Sequence, residues 1–282
     1  MRPSDSRRSP TEVRRLQRSR PWSLPDLRVV WSYRDLVHML AAREFKPRYR
    51  QAVMGVAWVV LQPICTALIF AVVFGELAHL PSDGAPYFLF ALCGFIPWSF
   101  FSSIVSRALH GLTGNQALVT KVYLPRVLLP ISSMLLGYLD LLLSLLLVAL
   151  SLAYFRHPAG ASILMLAPVL VLLSMTTLGC SLLVASLNAA YRDVTYALPV
   201  VLQLWMYATP VVYSSTLVPA EYRALLSINP LVVCVEGFRH ALLGRSNLDV
   251  TMSVVGTASA LAVLLVGLLA FKRIERDLAD RI

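Results

Sequence analysis

The residues of this sequence that could do chemistry are the few polar ones set in apolar surroundings. Asp140 is the only acidic residue deep inside an apolar run. A carboxylate in hydrocarbon is costly enough to require a partner or a hydrated cavity. Asp140 therefore either lines a path or holds a hydrogen-bonded contact between helices or subunits, and the contact is preferred because intramembrane polar groups often serve packing. Glu236 and Arg239 stand three residues apart, the spacing that pairs opposite charges on one helix face. His79 and Asp83 share a loop without further ligands, so no metal site is expected. A phosphate loop of the G-x-x-x-x-G-K-[ST] kind is missing, since Gly111 and Gly114 are followed by Asn115 and Gln116. No catalytic residue and no bound cofactor are assigned, and the chain is not read as an enzyme. Cys65, Cys93, Cys180 and Cys234 form no C-x-x-C pair and read as small buried hydrophobes.

Aromatic residues gather in two places, at Tyr87, Phe88, Phe90, Phe95, Trp98, Phe100 and Phe101 and again at Trp205, Tyr207 and Tyr213. Most fit the interfacial belt of a membrane protein. A pore for a sugar chain offers another use, because flat rings stack on the apolar faces of pyranoses while the hydroxyls stay hydrated. Phe95, Trp98, Phe101, Trp205 and Tyr207 are the candidate channel aromatics, Trp98 and Trp205 foremost.

The elements that must position these residues follow from composition. Of 282 residues, 57% are hydrophobic and 14% charged, with mean hydropathy +0.69. Soluble domains run nearer about 45–50% apolar and 25% charged. The chain is read as an integral membrane protein, and a soluble enzyme is excluded. Stretches long enough to cross about 30 Å of hydrocarbon and free of charge, save for Asp140 in the third, occur at Gln51–Gly75, Gly84–Ser106, Val127–Phe155, within Ala161–Leu187, at Tyr196–Tyr213 and at Val250–Phe271. Six crossings place both termini on one side.

The net charge is +10, and the first 50 residues hold 13 basic against 5 acidic groups. With the N-terminus inside, cytoplasmic segments carry 21 Lys and Arg, among them Arg107, Lys121 and Arg126 in the connection after the second span, while the outer ones hold only Arg156, Arg223, Arg239 and Arg245. That asymmetry fixes the orientation. Attraction to anionic lipid explains the basic arm better than nucleic acid does, so no nucleic-acid partner is expected. Residues 1–25, rich in Arg, Ser and Pro, read as a disordered cytosolic tail and not a signal peptide. Over 26–46, Val29, Tyr33, Leu36, Val37 and Leu40 recur at helical steps, which predicts an amphipathic interface helix lying on lipid, on a soluble partner, or between them. Outside, Tyr222–Ile228 and Leu231–Leu243 are apolar but too short to cross and are broken at Asn229-Pro230. A re-entrant helical hairpin over 221–244 is preferred to a surface loop. The expected fold is all-α: six transmembrane helices within a membrane domain at 51–271, the interface helix, the outer hairpin between spans five and six, and a cytosolic tail at 272–282.

Specific runs carry a resemblance. Arg43-Glu44-Phe45-Lys46-Pro47-Arg48-Tyr49-Arg50-Gln51 with Gly55, Trp58 and Leu61-Gln62-Pro63, then Gly94-Phe95-Ile96-Pro97-Trp98-Ser99-Phe100-Phe101, then Asn115 with Leu118 to Arg126, resemble polysaccharide-export permeases of the ATP-binding-cassette superfamily. Leu187-Asn188 with Tyr191-Arg192-Asp193-Val194, Pro210-Val211-Val212-Tyr213, and Asn229-Pro230 with Glu236-Gly237-Phe238-Arg239 continue it. The resemblance implies a half-channel of a bacterial plasma membrane transporter that forms a homodimer. It would bind two ATPase subunits, which hold the ATP and Mg, and export a polyprenyl-linked O-antigen, teichoic acid or cell-wall glycan. It implies coupling to the ATPase through Leu109, His110, Asn115, Lys121 and Arg126, with a short coupling helix around Leu109–Leu118. Arg48 and Arg50 would meet the carrier pyrophosphate or a phospholipid headgroup, and Asn229, Pro230, Glu236 and Arg239 would serve an outer gate. A drug or lipid exporter of the same architecture is the nearest rival reading. A membrane-embedded transferase lacks the clustered carboxylates or histidine it would need.

Overall fold

A computed structural model describes residues 33–50, 57–111, 127–157, 160–244 and 248–279, with the backbone alone for 44–50, 220 and 275–279. Every regular element among them is helical. In chain order these are α1 (Arg34–Arg50), α2 (Ala57–Phe70, running on as a π-helix over Ala71–Leu77), α3 (Tyr87–Gly111) and α4 (Leu128–Tyr154). A 3₁₀ turn at Ala161–Met165 leads into α5 (Leu166–Ala190), followed by α6 (Val194–Ala208), α7 (Ala220–Ser227), α8 (Pro230–Leu243) and α9 (Val250–Ala279). The expected tail at 1–25 and the residues Val29, Asn115, Lys121 and Arg126 lie outside the described residues.

Among the described residues, five helices are long and apolar enough to cross a bilayer, over Ala57–Leu77, Tyr87–Gly111, Leu128–Tyr154, Ala161–Ala190 and Val250–Ile274. One expectation changes in detail. The crossing expected at Tyr196–Tyr213 is helical only to Ala208, and the 15 residues of α6 span about 22 Å. Thr209 turns extended (φ −107°, ψ 137°), as a residue before proline does. The helices expected at 221–244 are present and bend by 97° at their break, a geometry that fits a broken span as well as the expected re-entrant hairpin. Taken as one broken span, the pair makes the sixth apolar crossing.

At the centre is α3. Its apolar window is 78% buried, and it packs on α2, α4, α5 and α8. At the other extreme, only Pro63 and Ala67 of α2 and only Leu198 and Leu202 of α6 are buried. α5 and α9 make the closest pairing, because a Cβ on Gly267 would stand 2.1 Å from the Gly179 carbonyl oxygen. Small residues allow this backbone approach where no hydrophobic effect drives helices together.

The amphipathic reading of α1 holds for its apolar face. Val37, Leu40 and Ala41 are buried, against Leu128 and Leu129 at the start of α4 and Phe271 of α9, while Arg34, Asp35, His38 and Arg43 are exposed. The helix runs past its expected end at residue 46 through Pro47 to Arg50. Arg48 and Arg50 therefore belong to its last turn.

Candidate functional site

The Glu236–Arg239 pair forms, but inside the protein. The two side chains are 0% and 1% exposed, with Arg239 Nη1 donating to Glu236 Oε1 at 3.1 Å. The same guanidinium donates to the carbonyls of Val211 at 2.8 Å and Tyr213 at 3.3 Å. It also lies over the Phe90 ring of α3. A buried cation needs this many partners, because desolvation otherwise exceeds the gain from one ion pair. Arg239 thus ties α8, α3 and the 211–213 segment together. Beside it, Ser214 donates to both Asp83 oxygens at 2.9 and 3.0 Å, and Tyr87 donates to the Val212 carbonyl.

Asn229 makes a second joint at the break between α7 and α8. Its Oδ1 accepts from the Leu231 amide at 3.1 Å, capping α8, while Pro230 occupies the first turn where no amide hydrogen is needed. That oxygen also accepts from Trp205 Nε1 at 3.1 Å, and Asn229 Nδ2 donates to Thr209 Oγ1 at 2.9 Å. The end of α6 is thereby fastened to the start of α8. Trp205 in turn packs edge-on to Phe101, with ring centroids 5.2 Å apart.

This packing sorts the candidate channel aromatics. Phe95, Trp98 and Phe101 are buried among helices of their own chain, Trp205 is half-buried, and Tyr207 is 56% exposed. A ring must be exposed to line a path, so in this conformation the outward-facing members are Tyr207 and the open side of Trp205.

Asp140 has a charged partner. Its Oδ2 lies 3.6 Å from Arg107 Nη1, with both side chains about one-fifth exposed (17% and 21%). Arg107 was expected in the connection after the second span, and Leu109 and His110 in a separate coupling helix. Arg107 lies instead in the last turns of α3, where Asp140 neutralises it within the bundle; Leu109 and His110 lie there too, while the rest of the expected coupling helix, from residue 112 on, lies outside the described residues. Around the pair is a polar cavity of about 250 Å³ between α2, α3 and α4. Ser99, Ser102, Ser103 and Ser106 line it from α3, Gln62 from α2, and Asp140 with Ser144 from α4.

A third joint holds the lower end of α3. Buried Asn188, near the end of α5, donates through Nδ2 to the Leu109 carbonyl at 2.7 Å and accepts from Thr195 Oγ1 of α6 at 2.9 Å. The turn between α5 and α6 closes on itself, with the Tyr191 amide bonded to the Leu187 carbonyl and the Tyr196 and Ala197 amides bonded to the Asp193 carbonyl. Leu109 is buried and His110 exposed.

A match to the ABC-2 type transporter membrane family covers residues 35–243, most of the chain and every joint described above. The chain belongs to the ABC-2 type transporter family. Among curated relatives, an O-antigen export system permease protein RfbA of Myxococcus xanthus is 32% identical over 217 residues, 76% of this chain and 82% of that protein. An RfbA of Klebsiella pneumoniae is 24% identical over 253 residues, covering 87% and 94% of the two chains. The polysialic acid transport protein KpsM of Escherichia coli is 25% identical over 247 residues, covering 85% and 93%. Membership makes this chain a multi-pass permease component, and an ABC transporter implies an ATPase partner.

Two features of the ABC-2 chain went unread in its sequence. Ser99, Ser102, Ser103 and Ser106 follow i, i+3, i+4, i+7, which is one helix face, and Arg107 continues it. That polar stripe was legible had the aromatic residues between not drawn the reading. Asn188 offered only a small polar residue near the end of an apolar run, and no local spacing announces a bond to Leu109, 79 positions away.

Proposed function

We propose that this chain is the transmembrane half-channel of an ATP-driven exporter that moves a polyprenyl-linked polysaccharide from the cytosol across the bacterial inner membrane. What carries the reading is the 32% identity to the Myxococcus permease over three-quarters of the chain. Relatives named for O-antigen and for polysialic acid support a polysaccharide over a drug as cargo.

Two copies form the channel, and each binds one ATPase subunit. The broad apolar surfaces of α2 and α6, which bury only two residues each within the chain, suit contact with a second copy and with lipid. Both termini are cytoplasmic, in keeping with the basic excess of the N-terminal arm and the tail. The ATPase pushes on the connection that begins at Leu109 and His110 and runs through Asn115, Lys121 and Arg126. Asn188 ties its start to α5 and α6, so movement there reaches two further helices. Arg48 and Arg50 meet the phosphates of the carrier or of phospholipids. The α7–α8 pair gates the outer end, with Asn229-Pro230 as its bend and Glu236–Arg239 locking α8 to α3.

Depletion of the chain in its own organism, followed by spheroplast labelling and carrier-lipid extraction, tests the reading. Full-length glycan is expected to accumulate in the cytosol and to be cleared only when the partner ATPase is active. Normal surface glycan with a drug or lipid retained inside would replace polysaccharide with the rival cargo.

A further inference from the structure

The cavity between α2, α3 and α4 has an unusual lining for its surroundings. Its volume of about 250 Å³ far exceeds the roughly 10–15 Å³ that one water requires, so its polar wall is hydrated. The hydroxyl hydrogens of Ser102, Ser103 and Ser144 on that wall are already engaged by the helices. Ser103 donates to the Phe100 carbonyl at 3.1 Å, Ser102 to that of Ser99 at 3.4 Å, and Ser144 to that of Asp140 at 2.9 Å. Their oxygen lone pairs remain to accept, beside the Asp140 carboxylate, while the exposed Gln62 amide supplies both donors and an acceptor. Arg107, which does not itself line the space, pairs with Asp140 and offsets its charge. An acceptor-rich, neutral, hydrated pocket selects a ligand with many O–H donors and no charge of its own. The ring-sized scale of the space fits one sugar unit better than a phosphate or an ion.

We infer that Gln62, Ser102, Ser103, Asp140 and their neighbours form a subsite for the hydroxyl groups of a single neutral sugar residue of the exported chain. The inference rests on the polysaccharide reading and adds to it the place and chemistry of a contact. Gln62 connects this subsite to the least covered helix, α2, where Trp58 and Cys65 are also exposed. Ser99, Ser102, Ser103 and Ser106 lie within one face of α3, and Arg107 Nη2 is 3.5 Å from Ser103 Oγ. Sugar hydroxyls can therefore exchange one serine acceptor for the next along the stripe, which suits a chain that must bind and then move on.

The test uses the whole transporter in permeabilised cells of its own organism. The chain carries Ser102→Cys with Cys65→Ser, since Cys65 is the exposed native thiol and the other three cysteines are buried. A cationic methanethiosulfonate reagent is applied to cells that make the glycan and to cells lacking the first sugar transferase. Modification in the glycan-free cells, slowed several-fold in glycan-making cells, is the expected result. Equal rates in both, or no modification in either, would overturn the subsite while surface glycan in the same strain keeps the export reading intact. Loss of the export reading has its own signature, surface glycan that is unaffected by deleting the chain. Gln62→Leu supplies an independent arm: surface delivery is expected to slow several-fold at unchanged membrane abundance, and parental delivery would count against the subsite.

Discussion

The Arg239 guanidinium carbon stands 3.6 Å from the centroid of the Phe90 ring, so α8 meets α3 through a desolvated cation and an aromatic face. Such contacts contribute about 2 kcal/mol when water is excluded, and here the ion pair to Glu236 and two carbonyl bonds add to it. Arg239→Met strands the Glu236 carboxylate, and Glu236→Gln removes the charge that balances Arg239. Each single change is expected to lower stability by about 3–5 kcal/mol, and Glu236→Leu combined with Arg239→Met by less than either alone. Thermal unfolding in detergent reads the difference. Parental melting of both singles, with only ion leak altered, would mark the pair as a moving gate part instead of a lock.

Gly94 is the counterpart of that lock. A Cβ there would meet the Val211 carbonyl oxygen at 2.3 Å and Arg239 Nη2 at 2.8 Å. One of these is backbone and cannot swing away. Gly94→Ala is expected to cost about 1–3 kcal/mol, in the range of overpacked cores, and to reduce the amount of folded permease recovered from membranes. The same substitution at Gly160, where the nearest atom is 3.8 Å away, should leave recovery unchanged.

Trp205 separates two uses of an aromatic side chain. Trp205→Phe keeps a ring against Phe101 and loses the bond to Asn229. If anchoring dominates, Trp205→Phe lowers stability by the worth of about one hydrogen bond, about 0.5–1.5 kcal/mol, and Asn229→Ala, which also loses the bonds to Thr209 and the Leu231 amide, by more. If glycan stacking on the open side of the ring dominates, Trp205→Phe preserves export rate where Trp205→Ala does not. Rates of surface glycan appearance decide between them.

Much of this was legible in the sequence because a bilayer leaves few options. Charge-free stretches near the length of the hydrocarbon core had to be helices, and five of the expected crossings are long helices. The Glu236–Arg239 spacing gave its own pairing. What escaped was depth. Both i, i+3 pairing and the Asn229-Pro230 break look the same on a surface hairpin and in a core, and only Gly94 across the bundle, 145 positions from Arg239, makes room for the buried version. Arg107 was assigned to a loop for the same reason, since its partner Asp140 lies on another helix. The fifth crossing was overextended because Tyr213 is apolar enough to count, whereas Thr209-Pro210 ends the helix through backbone geometry.

Asn188 is expected to matter beyond its size. It is buried, and Asn188→Leu leaves the Leu109 carbonyl and Thr195 hydroxyl without the partners recorded here. A loss of about 1–3 kcal/mol follows from stranding buried polar groups. Thr195→Val removes only the weaker half of the joint and should be milder. If the joint carries motion from the ATPase side, Asn188→Leu also lowers glycan exported per ATP hydrolysed. A drop in melting temperature at constant coupling ratio would restrict Asn188 to packing.

The Arg107–Asp140 pair joins α3 to α4 across the polar cavity, and its two halves do not carry equal risk. Asp140→Asn leaves Arg107 with Ser103 and the hydrated cavity, and a long guanidinium can move toward water. Arg107→Gln leaves a carboxylate on α4 that is too short to move away. Arg107→Gln is therefore expected to be the more damaging single change, and Asp140→Asn in the same chain to restore part of the loss. The coupling between the two sites should fall at about 0.5–3 kcal/mol in a double-mutant cycle, read from thermal unfolding of the four proteins. Additive effects would mean that the 3.6 Å approach contributes little and that each group is held by the cavity water independently. A positive coupling in stability alone makes the pair a structural tie, whereas a coupling that reappears in export rate, with melting temperatures matched by a compensating lipid or ligand, places it in the working cycle.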